Sequence, residues 1–151
     1  MATLWNSAYS WGEAAGIGTV GVLATPAAVS GGWALGVNVA ARGFGWYYAV
    51  TGGSGVVLGE YEAEGGQMNY LQYAKAIGAN ALDAGQGAYN FFLSQGEWWT
   101  VNRSFLNASI IRGQQFFLST APMGTGGFLR EMQYLQGRGI DPFALPWVWV
   151  P

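Results

Sequence analysis

The sequence predicts an α+β fold, in which a Gly/Ala-rich apolar helical hairpin is followed by helices and a small βαβ-like unit. Between Glu13 and Glu60 the only charged residue is Arg42. In residues 67–93, apolar side chains recur at intervals of three and four residues, which is the spacing of one helix face. In residues 97–120, a helical pattern lies between two β-prone runs, and this order is typical of a crossover between parallel strands.

The first predicted domain, residues 1–59, needs cover on nearly all sides because it has almost no charge. Pro26 and the pair Gly31-Gly32 predict a bend, so we expect a helical hairpin with its turn in residues 26–32. The sequence leaves open whether lipid or protein covers this hairpin. The many glycines also leave an extended, sheet-like packing open, because each costs a helix about 1 kcal/mol relative to Ala.

The rest of the chain is predicted as an acidic linker, residues 60–66, and a small α+β domain, residues 67–151. Within that domain we expect a helical segment at 67–93, which glycines at 78, 85 and 87 divide into two helices, further helices at 102–112 and 128–136, and strands at 97–101 and 114–120. The tail, residues 143–151, ends in an apolar run. An exposed end of this kind promotes aggregation, so we expect the tail to pack against another part of the protein.

Composition excludes several classes of function. Charged residues make up 9% of the chain, against roughly 25% in ordinary soluble proteins. The six basic residues form no cluster, so nucleic-acid binding is not expected. The chain has no Cys and no His, which removes disulfides, thiol or Ser–His catalysis, and zinc sites of the usual kind. We therefore predict no metal and no cofactor. The first residues carry no basic segment, so a secretory signal peptide is not expected.

The most credible chemistry lies in the second half of the chain. A parallel strand ending at Ser119 and Thr120 would present these side chains where open α/β sheets form ligand crevices. The loop rich in Gly at 124–127 then leads into the N-terminus of a helix, which attracts anions. We therefore predict Glu131 and Arg112 as catalytic residues, with Glu131 the acid–base group. The predicted ligand-binding residues are Asn102, Arg103, Ser119, Thr120 and Arg130, and the predicted ligand is a small phosphate-bearing molecule. A capped loop with a solvated Arg-Glu helix face is the alternative interpretation of the same residues.

Residues 98–140 resemble the C-terminal toxin regions of bacterial polymorphic toxins, including those of Rhs-repeat and filamentous-haemagglutinin proteins. The resemblance rests on a helix with Asn-Arg-x-Phe-Leu that ends in Arg-Gly, an apolar strand, a Gly-rich loop, and a helix with Glu-x-x-x-Leu. The matching residues are Asn102, Arg103, Phe105, Leu106, Arg112, Gly113, Glu131 and Leu135. The resemblance implies a secreted effector that is delivered into a target cell and has a cognate immunity protein. It supplies no reaction, and the absence of His together with the single Lys argues against a nuclease.

Three hypotheses follow for function. The first is a toxin-like effector domain that acts on a small molecule or inserts into a membrane. The second is a non-enzymatic, membrane-active or pore-forming protein that uses residues 14–59. The third is a self-assembling structural subunit. Self-association is expected in each case, because few charges and 16% aromatic residues leave apolar surface that association would bury.

Overall fold

The computed structural model describes residues 26–61, 69–124 and 126–147. Within them the chain folds as α1 Pro26–Thr51, β1 Gly55–Leu58, α2 Tyr70–Ile77, α3 Gly85–Ser94, α4 Trp98–Ile111, β2 Gln115–Leu118, α5 Gly126–Gly137 and a short 3₁₀ helix Pro142–Ala144. The two strands pair in parallel. The α+β class predicted from the sequence is confirmed.

Helix α1 corrects the predicted turn. It begins at Pro26, where a proline is tolerated because the first N–H of a helix has no intrahelical partner, and it continues through Gly31-Gly32 to Thr51. The bend predicted for residues 26–32 is therefore wrong, and the first arm of the hairpin lies outside the described residues. One face of α1 is buried through Val37, Ala41 and Phe44. Tertiary packing of this face offsets the low helix propensity of the glycines.

The predicted strand at residues 97–101 is also wrong, because α4 already begins at Trp98. Gly96 has a φ of 72°, and its left-handed conformation lets the chain reverse between α3 and α4. The amide N–H of Glu97 then donates to the carbonyl of Phe92. The ring of Trp98 packs edge-on against Tyr89, with centroids 4.9 Å apart, and Val101 is fully buried. These contacts hold a β-prone run in a helix.

The parallel crossover predicted from the sequence exists, but its first strand is β1. The register pairs Gly55 with Gln115 and Leu58 with Leu118, so both strands end at the same edge of the sheet. Helices α2, α3 and α4 make the connection, and β2 lies inside the strand predicted at 114–120. All four residues of β1 are buried. A short strand that is buried on both sides is typical of a parallel sheet.

Both outer edges of this sheet are covered. Asn80 forms a parallel bridge with Val56 outside β1, and Trp147 forms one with Leu118 outside β2. The N–H of Leu118 donates to the carbonyl of Pro146 at 2.9 Å. The described part of the tail is therefore joined to β2 through its backbone, but Phe143 and Trp147 stay 65% and 43% exposed, so the predicted burial of its apolar side chains is not seen there. Residues 148–151 lie outside the described residues.

The described residues form two compact units that interleave along the chain. One contains residues 26–47 and 84–105, and its interior is built around Phe44 and Phe92, whose ring centroids are 5.3 Å apart. The other contains the described parts of 48–83 and 106–147, and its core includes both strands and the inner face of α5. The domain boundaries predicted at 59 and 67 stay a prediction, and most of the acidic linker lies outside the described residues. No helix in the described ranges has the length and apolar character needed to cross a membrane.

Asn80 ties β1 to the last turn of α1. Its backbone N–H donates to Gly55 and its carbonyl accepts from Val57, both at 2.8 Å. Its side-chain amide donates to the carbonyl of Tyr48 in the last turn of α1. A Cβ built on Gly52 would overlap this amide. A glycine at 52 is therefore what allows the buried Asn80 to reach the end of α1.

We expect Gly52→Ala to destabilise the protein by about 1–3 kcal/mol, because the new methyl group would displace Asn80 and break its buried hydrogen bond. The measurement is urea unfolding followed by circular dichroism. Gly127→Ala, in the first turn of α5 with open space around its Cα, is the matched control and should be neutral or slightly stabilising. Equal midpoints for the two variants would contradict the role given to Gly52.

Candidate functional site

The candidate site lies at the edge of the sheet where β1 and β2 both end. Gly59 and Glu60 follow β1, and Ser119 and Thr120 follow β2. The N–H of Ser119 donates to the carbonyl of Leu58 at 2.9 Å, and the N–H of Glu60 donates to the Thr120 hydroxyl oxygen at 3.4 Å. We call these four residues the carboxyl edge. Parallel pairing has brought polar groups that are 60 residues apart in the chain into one place.

The backbone of Gly59 lies close to both Ser119 and Tyr70, and so joins the carboxyl edge to α2. A Cβ at Gly59 would overlap the Ser119 hydroxyl and would lie 3.2 Å from the Cβ of Tyr70. Ser119 is 1% exposed, and its hydroxyl has no hydrogen-bond partner within the described part of the chain. A buried hydroxyl without a partner costs about 1–3 kcal/mol. Groups of this kind merit a functional explanation.

Tyr70 is the first residue of α2 and is fixed by its own hydrogen bond. Asn69 caps the helix through its side-chain oxygen, which accepts from the N–H of Leu71 at 2.8 Å. The phenol of Tyr70 donates to the carbonyl of Leu82 at 3.0 Å. Burial, and after it the neighbouring acids Glu131 and Asp83, raise the pKa of Tyr70 well above its ordinary value. Tyr70 therefore stays a neutral hydrogen-bonding group throughout the physiological range.

Glu131 enters the site from the second turn of α5. It lies on the inner face of that helix, between the buried residues Phe128 and Leu135. Burial raises the pKa of Glu131 to about 8. At pH 7 the side chain is therefore mostly a neutral carboxylic acid, which can donate a hydrogen bond as well as accept one. Glu131 in turn contributes to the raised pKa of Tyr70, so the two side chains interact electrostatically.

The loop after β2 closes over Glu60. A Cβ on Gly124 would lie 2.7 Å from a carboxylate oxygen of Glu60 and would overlap the ring of Phe128. The loop backbone therefore packs directly on the end of β1 and on the first turn of α5. Thr125, between this loop and α5, lies outside the described residues.

The structure brings some of the predicted site residues together. Ser119 and Thr120 lie together at the carboxyl edge, and Glu131 interacts electrostatically with Tyr70, which borders that edge. Arg130 is exposed on the outer side of the same helix as Glu131. Arg112 precedes β2, and is separated from Ser119 by a strand of about 13 Å at 3.3 Å per residue. The structure does not bring Arg112 to the carboxyl edge, and its catalytic role stays a prediction.

Asn102 and Arg103 belong to the first unit, where Asn102 is buried and Arg103 is exposed on α4. Their predicted ligand-binding role is likewise untested. Polar contacts in this unit centre on Glu97, whose carboxylate accepts two hydrogen bonds from the side-chain amide of Asn38 at 2.9 and 3.1 Å. Side-chain hydrogen bonds with Thr100 and Asn38 lower the pKa of Glu97 below its usual value. These contacts hold α1 against the start of α4.

Sequence reasoning missed Glu60 and Tyr70. Glu60 was assigned to a linker because it opens an acidic run, and Tyr70 was counted only as part of a helical pattern. The short run Gly55–Leu58 is the signal that would have found Glu60, because a strand there places it at the carboxyl end. No local signal places Tyr70 at this edge. Within the described ranges, no three Asp or Glu side chains are grouped in a way that could hold a metal ion.

No family model, curated protein or solved structure matches this chain. The functional argument therefore rests on the residues themselves.

We expect the stability of the protein to fall as the pH rises from about 4.5 to 8. Across that range the unfolded chain releases the Glu131 proton and the folded chain keeps it, so the slope is at most about 1.4 kcal/mol per pH unit for this group. Glu131→Gln should remove this contribution, so the variant should gain stability over the wild type most clearly at pH 8. Urea midpoints at pH 5, 6.5 and 8 measure the difference, and parallel pH profiles for the two proteins would contradict the buried neutral acid.

Proposed function

We propose that this chain is a toxin-like effector domain that acts on a small phosphate-bearing molecule at the carboxyl edge of its parallel sheet. The observation that carries the proposal is Glu131, a half-buried carboxyl group beside the inner face of α5 whose pKa desolvation raises to about 8. Buried acids with strongly shifted pKa values, placed beside a crevice, are typical of functional sites.

The location supports a ligand site. In open sheets of parallel strands, ligands bind outside the carboxyl ends of the strands. Here that position holds two hydroxyl groups, Ser119 and Thr120, and the Ser119 hydroxyl lacks a partner within the described residues. Both residues are almost fully buried, so a ligand would reach the Ser119 hydroxyl only when the carboxyl edge opens.

The charge state of Glu131 supports a phosphate-bearing ligand. An ionised carboxylate beside a phosphate would repel it, whereas a neutral carboxylic acid can donate a hydrogen bond to one of its oxygens. Helix α5 begins at Gly126, and the free N–H groups and dipole at a helix N-terminus add a favourable field for an anion.

Glu131 also suits acid–base chemistry. A group with a pKa of about 8 holds a proton at pH 7 and can release it without a large energetic penalty, which is the condition for an effective general acid. Tyr70 would act as a positioning residue, because its phenol is fixed on Leu82 and its charge state does not change near neutral pH.

The membrane-active alternative draws on different residues. Trp33, Trp46 and Tyr47 are 39–57% exposed on α1, and exposed aromatic side chains are common where proteins meet membranes. Self-assembly would use the same exposed surface. Neither alternative needs Glu131, so one substitution separates them from the effector proposal.

We expect Glu131→Gln to abolish growth inhibition when the chain is expressed inside bacterial cells, because glutamine keeps the shape of the side chain but cannot transfer a proton. Gln133→Ala, at an exposed position on the same helix, is the matched control and should inhibit growth like the wild type. Colony counts after induction measure the effect, with circular dichroism to verify folding. Full toxicity of a folded Glu131→Gln variant would contradict the proposal and favour the membrane-active alternative.

We expect binding of inorganic phosphate to weaken as the pH rises from 7 to 9, because Glu131 then ionises and repels the anion. Isothermal titration calorimetry measures the affinity, and the fall should reach about tenfold per pH unit once the pH exceeds 8. In Glu131→Gln the affinity should be nearly independent of pH over this range. Binding that strengthens with pH would exclude a neutral Glu131 as the phosphate contact.

A further inference from the structure

Helix α1 carries a second apolar stripe, which the described residues leave exposed. Its inner face, at Val37, Ala41 and Phe44, packs inside the first unit. On the opposite side, Leu35 is 71%, Val39 55% and Trp46 57% exposed, and the exposed Arg42 lies among them. We call Leu35, Val39, Arg42 and Trp46 the α1 seam.

The spacing of the α1 seam is that of a helix–helix contact. Its residues follow one another at intervals of four, three and four, which is the repeat of core positions in a coiled coil. Apart from Arg42, α1 carries no charged residue over its 26 positions. A helix that is apolar on two opposite sides is normally covered on both.

The positive charge of Arg42 restricts the kinds of partner that could bind to the α1 seam. A second copy of α1 offers no carboxylate, and in an antiparallel pair centred on the seam the two Arg42 side chains would come close together. Like charges brought together at an apolar contact are destabilising. Helices that lie on membranes have a broad apolar face opposite several Lys or Arg, whereas α1 has one basic residue, Arg42, which lies within the exposed stripe, and its other side is packed in protein.

We propose that the α1 seam binds an amphipathic helix of a different protein, whose apolar stripe carries a carboxylate opposite Arg42. Within this chain Arg42 interacts electrostatically with Glu97, but the hydrogen bonds of that carboxylate go to Thr100 and Asn38. The partner's carboxylate would meet the guanidinium at the rim of the contact, and Leu35 and Trp46 would fill spaces between side chains of the partner helix. The proposal is independent of the site at the carboxyl edge.

The test uses the whole chain and two labelled helical peptides that differ at one residue. In both peptides, leucines form the apolar stripe that would face the α1 seam. The position in the middle of that stripe holds Glu in one peptide and Lys in the other. By fluorescence anisotropy, the Glu peptide should bind roughly fivefold more tightly than the Lys peptide, and Arg42→Glu should reverse that preference. Val39→Asp should abolish binding of both peptides, while the control Ile111→Asp, at a 76% exposed position on α4, should leave binding unchanged.

Other outcomes identify other occupants and would overturn the proposal. Equal binding of the two peptides, or no binding of either, removes the role of Arg42. Binding to vesicles of anionic lipid that Val39→Asp abolishes would assign the seam to a membrane. A dimer of the wild-type protein in sedimentation that Val39→Asp dissociates would assign it to a second copy. None of these results bears on the toxicity test with Glu131→Gln. A failure of the seam proposal therefore leaves the proposed function to be decided by that separate test.

Discussion

The parallel pairing of β1 with β2 is the constraint on which the rest of the second unit depends. The two strands have four residues each, too few to be stable in isolation, and their register alone brings Glu60 and Thr120 together. Asn80 supports the pairing from outside β1 and the Pro146–Trp147 segment from outside β2. The side-chain amide of Asn80 also donates to the Tyr48 carbonyl, so the residue that borders β1 also fixes the end of α1. A change at Gly52, at the opposite end of β1 from the carboxyl edge, therefore acts on the sheet through Asn80.

The neutral state of Glu131 follows from that packing and not from a charged partner. Burial on the inner face of α5 is the cause of its raised pKa, and the same burial that fills the core between Phe128 and Leu135 keeps the proton on the carboxyl group. A leucine or methionine at this position would fill similar space without the pH-dependent loss of stability. Proteins retain such costly groups mainly where function needs them, which is why Glu131 and not the more exposed Arg130 carries the functional argument.

Local pattern predicted the elements whose environment matches their propensity. Residues 115–118 and 126–137 form the strand and helix expected from apolar spacing, and Gly113 ends α4 with a φ of 66° as a left-handed cap. Tertiary contacts determined the structure of the elements that local pattern did not predict. Residues 98–101 are β-prone but lie in a helix, because Val101 is needed in the core beneath Gly45, whose backbone approaches α4 too closely for any side chain. For the site, Ser119, Thr120 and Glu131 were predictable from their place after a strand and in the next helix. Glu60 was missed because the strand before it has only four residues, and Tyr70 because its place depends on the close approach of α2 to Gly59.

The nearly uncharged stretch before Glu60 divides into parts with different explanations. Val56, Val57 and Leu58 are apolar because a central parallel strand is buried on both sides. Gly45 and Gly52 are glycines because neighbouring groups occupy the space of a side chain, the backbone of α4 at one and the Asn80 amide at the other. Gly31, Gly32 and Gly36 have open space around them, so internal packing does not explain their size. They precede or lie within the stretch of α1 that carries the exposed seam, and small residues there would let a partner helix approach the backbone closely. Burial and close packing therefore explain part of the low charge of this region, and the proposed contact of the α1 seam explains the rest. Arg42 is exposed, so a substitution there tests the proposed contact without disturbing the core.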